Sequence, residues 1–185
     1  MLDILSAVYD FILKYACDVG AGVPAYDEIQ IVRGWQNSAT LPPTVNEFCI
    51  ITELNTIAHG TTSELYKTDV DCQYKRTIEH VIQIDFISSE KITAPHATLL
   101  RANVINMLCN TSVVTSFFKS FSENLTCLYC DGVTNLSSLD ETKTYATRYQ
   151  VVLHLAEILS TSLTVDTFSN VELNIENVDA HHHIS

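Results

Sequence analysis

The fold is decided by residues 78–86, which run Ile-Glu-His-Val-Ile-Gln-Ile-Asp-Phe. Apolar side chains recur at every second position, and His80 falls in the same phase as these apolar residues. The alternate positions hold Glu79, Gln83 and Asp85, with Val81 as the exception. Because side chains alternate between the two faces of a strand, this pattern predicts a long strand over residues 70–88. One face should pack on a core and the other should be wetter, as in an antiparallel sheet.

Other parts of the chain carry weaker strand patterns. A second long strand is predicted over residues 145–160, where apolar side chains again alternate. Enrichment in β-branched residues predicts a strand over residues 47–56. Further strands are predicted over residues 126–133 and 168–178, and residues 26–32 favour either a short strand or a connector.

Residues 58–69 (Ala-His-Gly-Thr-Thr-Ser-Glu-Leu-Tyr-Lys-Thr-Asp) interrupt these strands with a mostly polar stretch. Their polarity and their single glycine favour a hairpin tip or an extended loop. Residues 33–38 are likewise predicted to form a loop, and Pro42-Pro43 marks a stop after it.

Helical spacing is clearest at the start of the chain. Apolar residues recur three and four apart over residues 2–17, which predicts the first helix. A second helix is predicted from about Pro95 to about Asn110, and one or two further helical turns over residues 113–121.

The resulting element order is helix, strands, helix or helix pair, strands, which is the order of an α+β fold. We expect a mixed, mainly antiparallel sheet with long strands, flanked by an N-terminal helix and one or two central helices. Residues 1–178 are predicted to form a single domain, and residues 179–185 a flexible polar tail that contains His181, His182 and His183.

Composition limits the classes of function. The chain has 185 residues, of which 46% are hydrophobic and 17% charged, and its formal net charge is −12. A chain of this charge should not bind DNA by neutralising phosphates, although repulsion could let DNA slide past without sticking. Solubility alone is the simpler explanation of the charge. The low charged fraction also suggests that part of the surface is buried against partners.

Chemical motifs are scarce. The sequence contains no phosphate-binding loop, dinucleotide fingerprint, His-Glu-x-x-His helix or Gly-x-Ser-x-Gly elbow, and only five glycines. We therefore predict that the chain is not an enzyme, uses no cofactor and has no catalytic, cofactor-binding or metal-ligating residues. An alternative is a metal site built from His80 and His154, if these face each other across the sheet.

Other polar and cysteine pairs have simpler explanations than a site. The carboxylate pairs Asp69/Asp71 and Asp140/Glu141 are better explained as solvated loop charge than as acid–base groups. Cys127 and Cys130 lack a second pair at zinc-ligand spacing, so the six cysteines are predicted to be buried free thiols. The loop residues Arg33, Trp35 and Gln36 either anchor a protein interface or cap the domain's own core.

Several stretches together resemble a known family. They are residues 31–37 (Ile-Val-Arg-Gly-Trp-Gln-Asn), Leu41-Pro42-Pro43, the strands at 47–52 and 79–86, Arg101-Ala102-Asn103, Leu153-His154-Leu155 and residues 168–173. In pattern and element order, residues 3–178 are similar to the neck or tail terminator proteins of tailed bacteriophages.

The resemblance implies a structural protein of the virion that is assembled in the host cytoplasm and does not enter a membrane. Such proteins form a ring, usually of six copies, which caps the tail tube, stops its polymerisation and joins it to the head connector, with DNA passing through the lumen. The implied partners are further copies of the chain, the tube protein, the connector or adaptor, and the sheath. Residues 58–69 and the segment around Asp140-Glu141 are then expected to reach a neighbour or the lumen. Another head–tail adaptor, or a small metal- or ligand-binding enzyme, is the alternative.

Overall fold

The computed structural model describes residues 3–17, 31–34, 47–66, 71–89, 97–139 and 145–164. Its helices are α1 (Ile4–Ala16), α2 (Ala97–Cys109) and α3 (Ser112–Phe121). Its strands are β1 (Ile31–Arg33), β2 (Glu47–Tyr66), β3 (Asp71–Ser89), β4 (Leu125–Cys130), β5 (Thr134–Asn135), β6 (Ser138–Leu139) and β7 (Tyr145–Thr164). The predicted α+β class is confirmed, and all three helices begin and end close to their predicted positions.

The described strands form one mixed sheet in the order β1-β2-β3-β7-β4, with β5 and β6 also pairing with β7. The β1–β2 pair is parallel, and every other pair is antiparallel. At the centre of the sheet, β3 and β7 pair without interruption from Asp71–Thr164 to Ser89–Ala146. The mainly antiparallel sheet with long strands is therefore as predicted.

The hydrophobic core lies between one face of this sheet, called here the core face, and the three helices. The core face contributes a ladder of fully buried side chains, namely Cys49, Ile51, Ile82, Ile84, Phe86, Val151, Leu153 and Leu155. The helices contribute an aromatic cluster in which the Phe11 ring lies 5.3 Å from Phe118 and 5.4 Å from Phe117. Burial of these side chains is the main stabilisation of the fold.

A buried arginine ties the helices to the sheet. The Arg101 side chain is fully buried and donates from Nε and Nη2 to the two carboxylate oxygens of Glu47, at 2.9 and 3.3 Å. Its Nη1 donates to the backbone carbonyl of Ala16 at 2.6 Å. That carbonyl is one of the last in α1 and has no partner within the helix, so Arg101 completes the C-terminus of α1.

The structure corrects several predicted boundaries. Residues 58–66 are not a loop, because β2 continues to Tyr66 and pairs with β3 along this stretch. Strand β4 ends at Cys130 rather than residue 133, and Arg33 belongs to β1 rather than a loop. The predictions for residues 26–30, 35–38, 67–69, 140–144 and 168–185 fall outside the described residues.

The face opposite the core face is less wet than the sequence suggested. Glu79 and Asp85 lie on it and are 6% and 2% exposed. Their carboxylates have cationic or imidazole partners: Arg148 donates to both oxygens of Asp85 at 3.0 Å, and His154 lies beside Glu79. The expectation that this face is wetter than the core face does not hold for these two residues, because charged groups can be buried when they are paired.

Candidate assembly surface

Beyond the helices, three strands continue as an arm. We define the arm as residues 57–66 of β2, 71–77 of β3 and 158–164 of β7. Every described residue of β2 from Leu54 onward is exposed, and so is β7 from Ile158 onward. None of the side chains in the buried core cluster comes from the arm. The arm is therefore held by backbone pairing along β3 rather than by burial under the helices.

Two irregularities in β2 shape the arm. The β2–β3 register shifts between Glu53 and Asn55, so that Leu54 has no partner residue on β3. Such a bulge adds one residue to a strand and reverses which residues face each side. A second shift lies between His59 and Ser63 and includes Gly60, whose φ of +64° is a conformation that favours glycine.

The arm exposes apolar side chains on both of its faces. Its members include Leu65, Tyr66 and Leu163, which are 52%, 62% and 55% exposed. Ile57, Ile158 and Leu159 are also exposed, at 38–42%. Among the described residues, no further strand lies beside β2 or β7 within the arm. Clusters of exposed apolar residues on such a sheet are typical of surfaces that bind another protein.

The arm also differs in charge from the rest of the chain. The arm contains two Lys or Arg, namely Lys75 and Arg76, and two Asp or Glu, namely Glu64 and Asp71, so that its formal charge is zero. The net charge of −12 therefore belongs entirely to the remaining residues. The balance of charge within the arm becomes apparent only in the structure, where its three strand segments lie side by side.

At the base of the arm, a histidine–carboxylate cluster lies on the face opposite the core face. The Nδ1 atom of His154 lies 2.6 Å from Glu79 Oε1, and the other Glu79 oxygen contacts His59 Nε2. The His154 ring stacks on Tyr129 with ring centroids 4.1 Å apart. Hydrogen bonds from His154 and then His59 hold the pKa of Glu79 below its usual value. The cluster thus stabilises an ionised Glu79 where the arm begins.

A second histidine occupies the core face at the same level. His80 Nδ1 lies 2.9 Å from Glu53 Oε1, and its Nε2 lies 3.4 Å from Glu157 Oε2. That Nε2 atom is buried and makes no hydrogen bond, since the geometry toward Glu157 is unfavourable. A groove of about 370 Å³ opens beside this cluster and is also lined by Asp3, Ile4, Leu5, Thr56, Ile78 and Leu159.

The structure places His80 and His154 on opposite faces of the sheet. His80 pairs with Leu155 and Val81 pairs with His154, so the two imidazoles point away from each other. The alternative of a shared metal site is therefore wrong. Among the described residues, no group of three His, Cys, Asp or Glu side chains is arranged to hold a metal ion.

The chain was then compared with known proteins. The model of the family described as "Phage neck terminator protein" matches residues 3–180, which is nearly the whole chain. The chain belongs to the phage neck terminator family. No curated protein sequence matched it. The family resemblance that the sequence suggested is thereby confirmed.

Membership makes this neck terminator a structural, non-enzymatic kind of protein that acts as a component of the phage neck and contacts other head or tail components. None of the described helices is long and apolar enough to cross a membrane.

The other residues singled out in the sequence of this neck terminator have local roles or lie outside the described ranges. Arg33 binds Asp3 at 2.8 Å and Ser6 Oγ at 2.6 Å, which ties β1 to the N-terminus of α1. Gly34 follows it and donates its backbone N–H to the Ile51 carbonyl at 2.6 Å. Outside the described residues lie Asp69, His96, Asp140, Glu141, His181, His182, His183, and also Trp35 and Gln36.

The cysteines of the neck terminator are free thiols, and five of the six are buried, whereas Cys130 is partly exposed. A hydrogen bond with Cys109 and burial together raise the pKa of the Cys127 thiol. Burial likewise raises the pKa of Cys49. Because the thiolate is the reactive form, these buried cysteines are packing residues.

Sequence reasoning missed Glu53, Glu157 and Lys75 as members of the surface at the arm. The first two stand in strand-like stretches as ordinary acidic residues, and nothing in their spacing indicates that they flank His80. The equal numbers of acidic and basic residues over residues 57–77 are a sequence signal that points to this surface.

Proposed function

We propose that this neck terminator forms a ring, of six copies as the family resemblance implies, on the last ring of the tail tube. The ring stops polymerisation of the tube and provides the surface that joins it to the head connector or adaptor, with the sheath as a further partner. The protein is assembled in the host cytoplasm and resides in the virion neck. Residues 1–178 act as a single domain in this assembly.

The proposal of a ring is supported mainly by the arm. It presents six large apolar side chains at 38–62% exposure on a projecting sheet of three strands. When the arm of each subunit binds a different surface on the next copy, the contact is heterologous. A heterologous contact of this kind closes into a ring when its rotation is an integral fraction of a full turn.

The acidic remainder of the chain supports passage of DNA. A net charge of −12 outside the arm disfavours binding to phosphates, so a lumen lined by these residues would let DNA pass without adhering. The arm itself is electroneutral, which suits it to contacts with protein rather than with the DNA.

The experiment is to image the purified protein by negative-stain electron microscopy and to measure its mass by light scattering over a range of concentrations. We expect rings with a central hole wide enough for duplex DNA, and we expect added protein to stop elongation of tail tubes in vitro. A chain that stays monomeric at all concentrations, both alone and with tube protein, would refute the ring and favour another head–tail adaptor role.

A matched pair of variants tests the part played by the arm. Leu65→Ser with Leu163→Ser removes two apolar side chains that are 52% and 55% exposed in the arm. Leu128→Ser with Leu136→Ser removes two that are 45% and 39% exposed outside it. We expect the first pair to abolish rings and the second to leave them intact, with both proteins folded by circular dichroism.

A further inference from the structure

The two faces of the arm carry different groups. The β3–β7 register places Arg76 on the core face, opposite Leu159, whereas Lys75 stands opposite Ser160 on the reverse face. That reverse face of the arm also carries Ile57, Leu65 and Ile158, by the same alternation. Polar residues such as Gln73, Ser160 and Ser162 separate these three apolar side chains, and Asp71 lies at the end of the same face. The reverse face is therefore a mixed surface with the exposed Lys75 near its middle.

The groove beside His80 has the opposite character. Its floor is apolar, with Ile4, Ile78 and Leu159, and three carboxylates stand around it. These belong to Asp3, Glu53 and Glu157, whose side chains are 52%, 36% and 14% exposed. Arg33 pairs with Asp3 at 2.8 Å, so Glu53 and Glu157 account for the excess of negative charge beside the apolar floor.

The buried Nε2 atom of His80 makes no hydrogen bond, although Glu157 Oε2 lies 3.4 Å away. His80 therefore does not link the two carboxylates that flank it by a pair of hydrogen bonds. An ammonium group carries three donors and a full positive charge. A lysine that enters the groove would donate to these carboxylates and reduce the local excess of negative charge.

The lysine cannot come from the same arm. Lys75 lies on the reverse face of the sheet, and the groove lies on the core face, so the strands themselves separate the two within one copy. A second copy stacked front to back on the first would bring its Lys75 to this groove. Like charge disfavours contact between two acidic bodies, whereas the electroneutral arm meets an acidic body without that repulsion.

We propose that the reverse face of the arm of one subunit docks on the groove of the next, with Lys75 placed between Glu53 and Glu157. This inference rests on the proposed ring and names the contact that builds it. The same contact repeated from copy to copy is heterologous, as ring closure requires. Leu65 and Ile158 then pack on the apolar floor beside the ion pair.

Charge reversal across this contact tests the proposal. Lys75→Glu places a carboxylate against the acidic groove, and Glu53→Lys places a lysine there against the incoming Lys75. Each variant alone should raise the protein concentration needed for half-assembly by at least about tenfold. Lys119→Glu, which reverses an exposed lysine of α3, is the matched control and should assemble like the wild-type protein.

Mixing the two variants separates a contact between copies from one within a copy. In an equal mixture, the acidic arm of the Lys75→Glu variant meets the basic groove of the Glu53→Lys variant. The unchanged arm of the Glu53→Lys variant meets the unchanged groove of the Lys75→Glu variant, so alternating rings should form. An even number of subunits, such as six, permits this alternation. The double variant should also assemble by itself.

The outcomes are distinct. Normal rings from Lys75→Glu would overturn the docking contact and leave the proposed ring standing. Two folded, monomeric single variants that fail to assemble when mixed would overturn the pairing of Lys75 with Glu53. A wild-type protein that never forms rings, even with tube protein, would instead refute the proposed function on which the contact rests.

Discussion

The Arg101–Glu47 pair provides a quantitative test of how the fold is held together. Arg101 is 0% exposed and Glu47 is 12% exposed at the side chain, so both charges are largely removed from water. We expect Glu47→Leu to destabilise the protein by about 4 kcal/mol, because it removes the carboxylate that accepts hydrogen bonds from Nε and Nη2 of a fully buried guanidinium. Arg101→Met should cost about 3 kcal/mol, since the remaining carboxylate keeps some contact with water.

The double variant separates the ion pair from packing. With both charges replaced by apolar side chains of similar size, the desolvation penalty disappears, and the expected cost falls to about 1–2 kcal/mol. What remains comes mainly from the Ala16 carbonyl, which loses the donor that lies 2.6 Å away. The double variant should therefore be more stable than either single variant.

The measurement is urea unfolding at neutral pH, followed by circular dichroism at one fixed protein concentration, because assembly would otherwise alter the apparent stability. A cost below about 1 kcal/mol for Glu47→Leu would mean that the guanidinium finds other partners or water, and would refute the burial argument. Additive costs in the double variant would show that the two side chains are not energetically coupled.

Three further predictions follow from single contacts. Gly34→Ala should destabilise the fold by about 1–3 kcal/mol, because a Cβ at this position would clash with Thr52 Oγ1. Adding Thr52→Ala should recover part of the lost stability. Equal urea midpoints for the wild-type and Gly34→Ala proteins would contradict this prediction. Because its folded-state pKa is lowered, Glu79 stabilises the protein above its unfolded-state pKa of 4.5 and loses that contribution as the pH falls through the folded-state value. Between about pH 6 and about pH 3, the free energy of unfolding should therefore fall less for the Glu79→Gln variant than for wild type, as measured by urea titration. Equal falls for the two proteins would exclude this role of Glu79. Native protein should react rapidly with a thiol reagent at Cys130 alone, and six reactive thiols should be found only after unfolding; fast labelling of Cys127, located by peptide mass, would disprove its burial.

Much of the fold was predictable because the relevant signals are local. The alternation of residues 78–86 and 145–160 arises whenever one face of a strand is buried, whichever partner buries it. The spacing in residues 2–17 likewise depends only on the helical repeat and on one apolar face. The family resemblance drew on the same elements, and the family match over residues 3–180 confirms it.

The arm was not predictable from such signals. Residues 58–66 are polar and bury no periodic face, so their sequence is compatible with a loop. They form a strand because β3 offers backbone groups to residues 58–59 and 63–66, on either side of the register shift, and β3 is in turn held by β7. Pairing partners distant in sequence thus override the local preference.

The sequence by itself determined the helices, the long central strands, the acidic character and the absence of recognisable catalytic motifs. Only the tertiary structure decided that Arg101 reaches Ala16 across 85 residues, and that His80 and His154 lie on opposite faces. The physical reason is register: shifting a strand by one residue moves every side chain to the other face, and register depends on the partner strand. The surfaces at the arm are therefore a property of strand pairing rather than of any one segment.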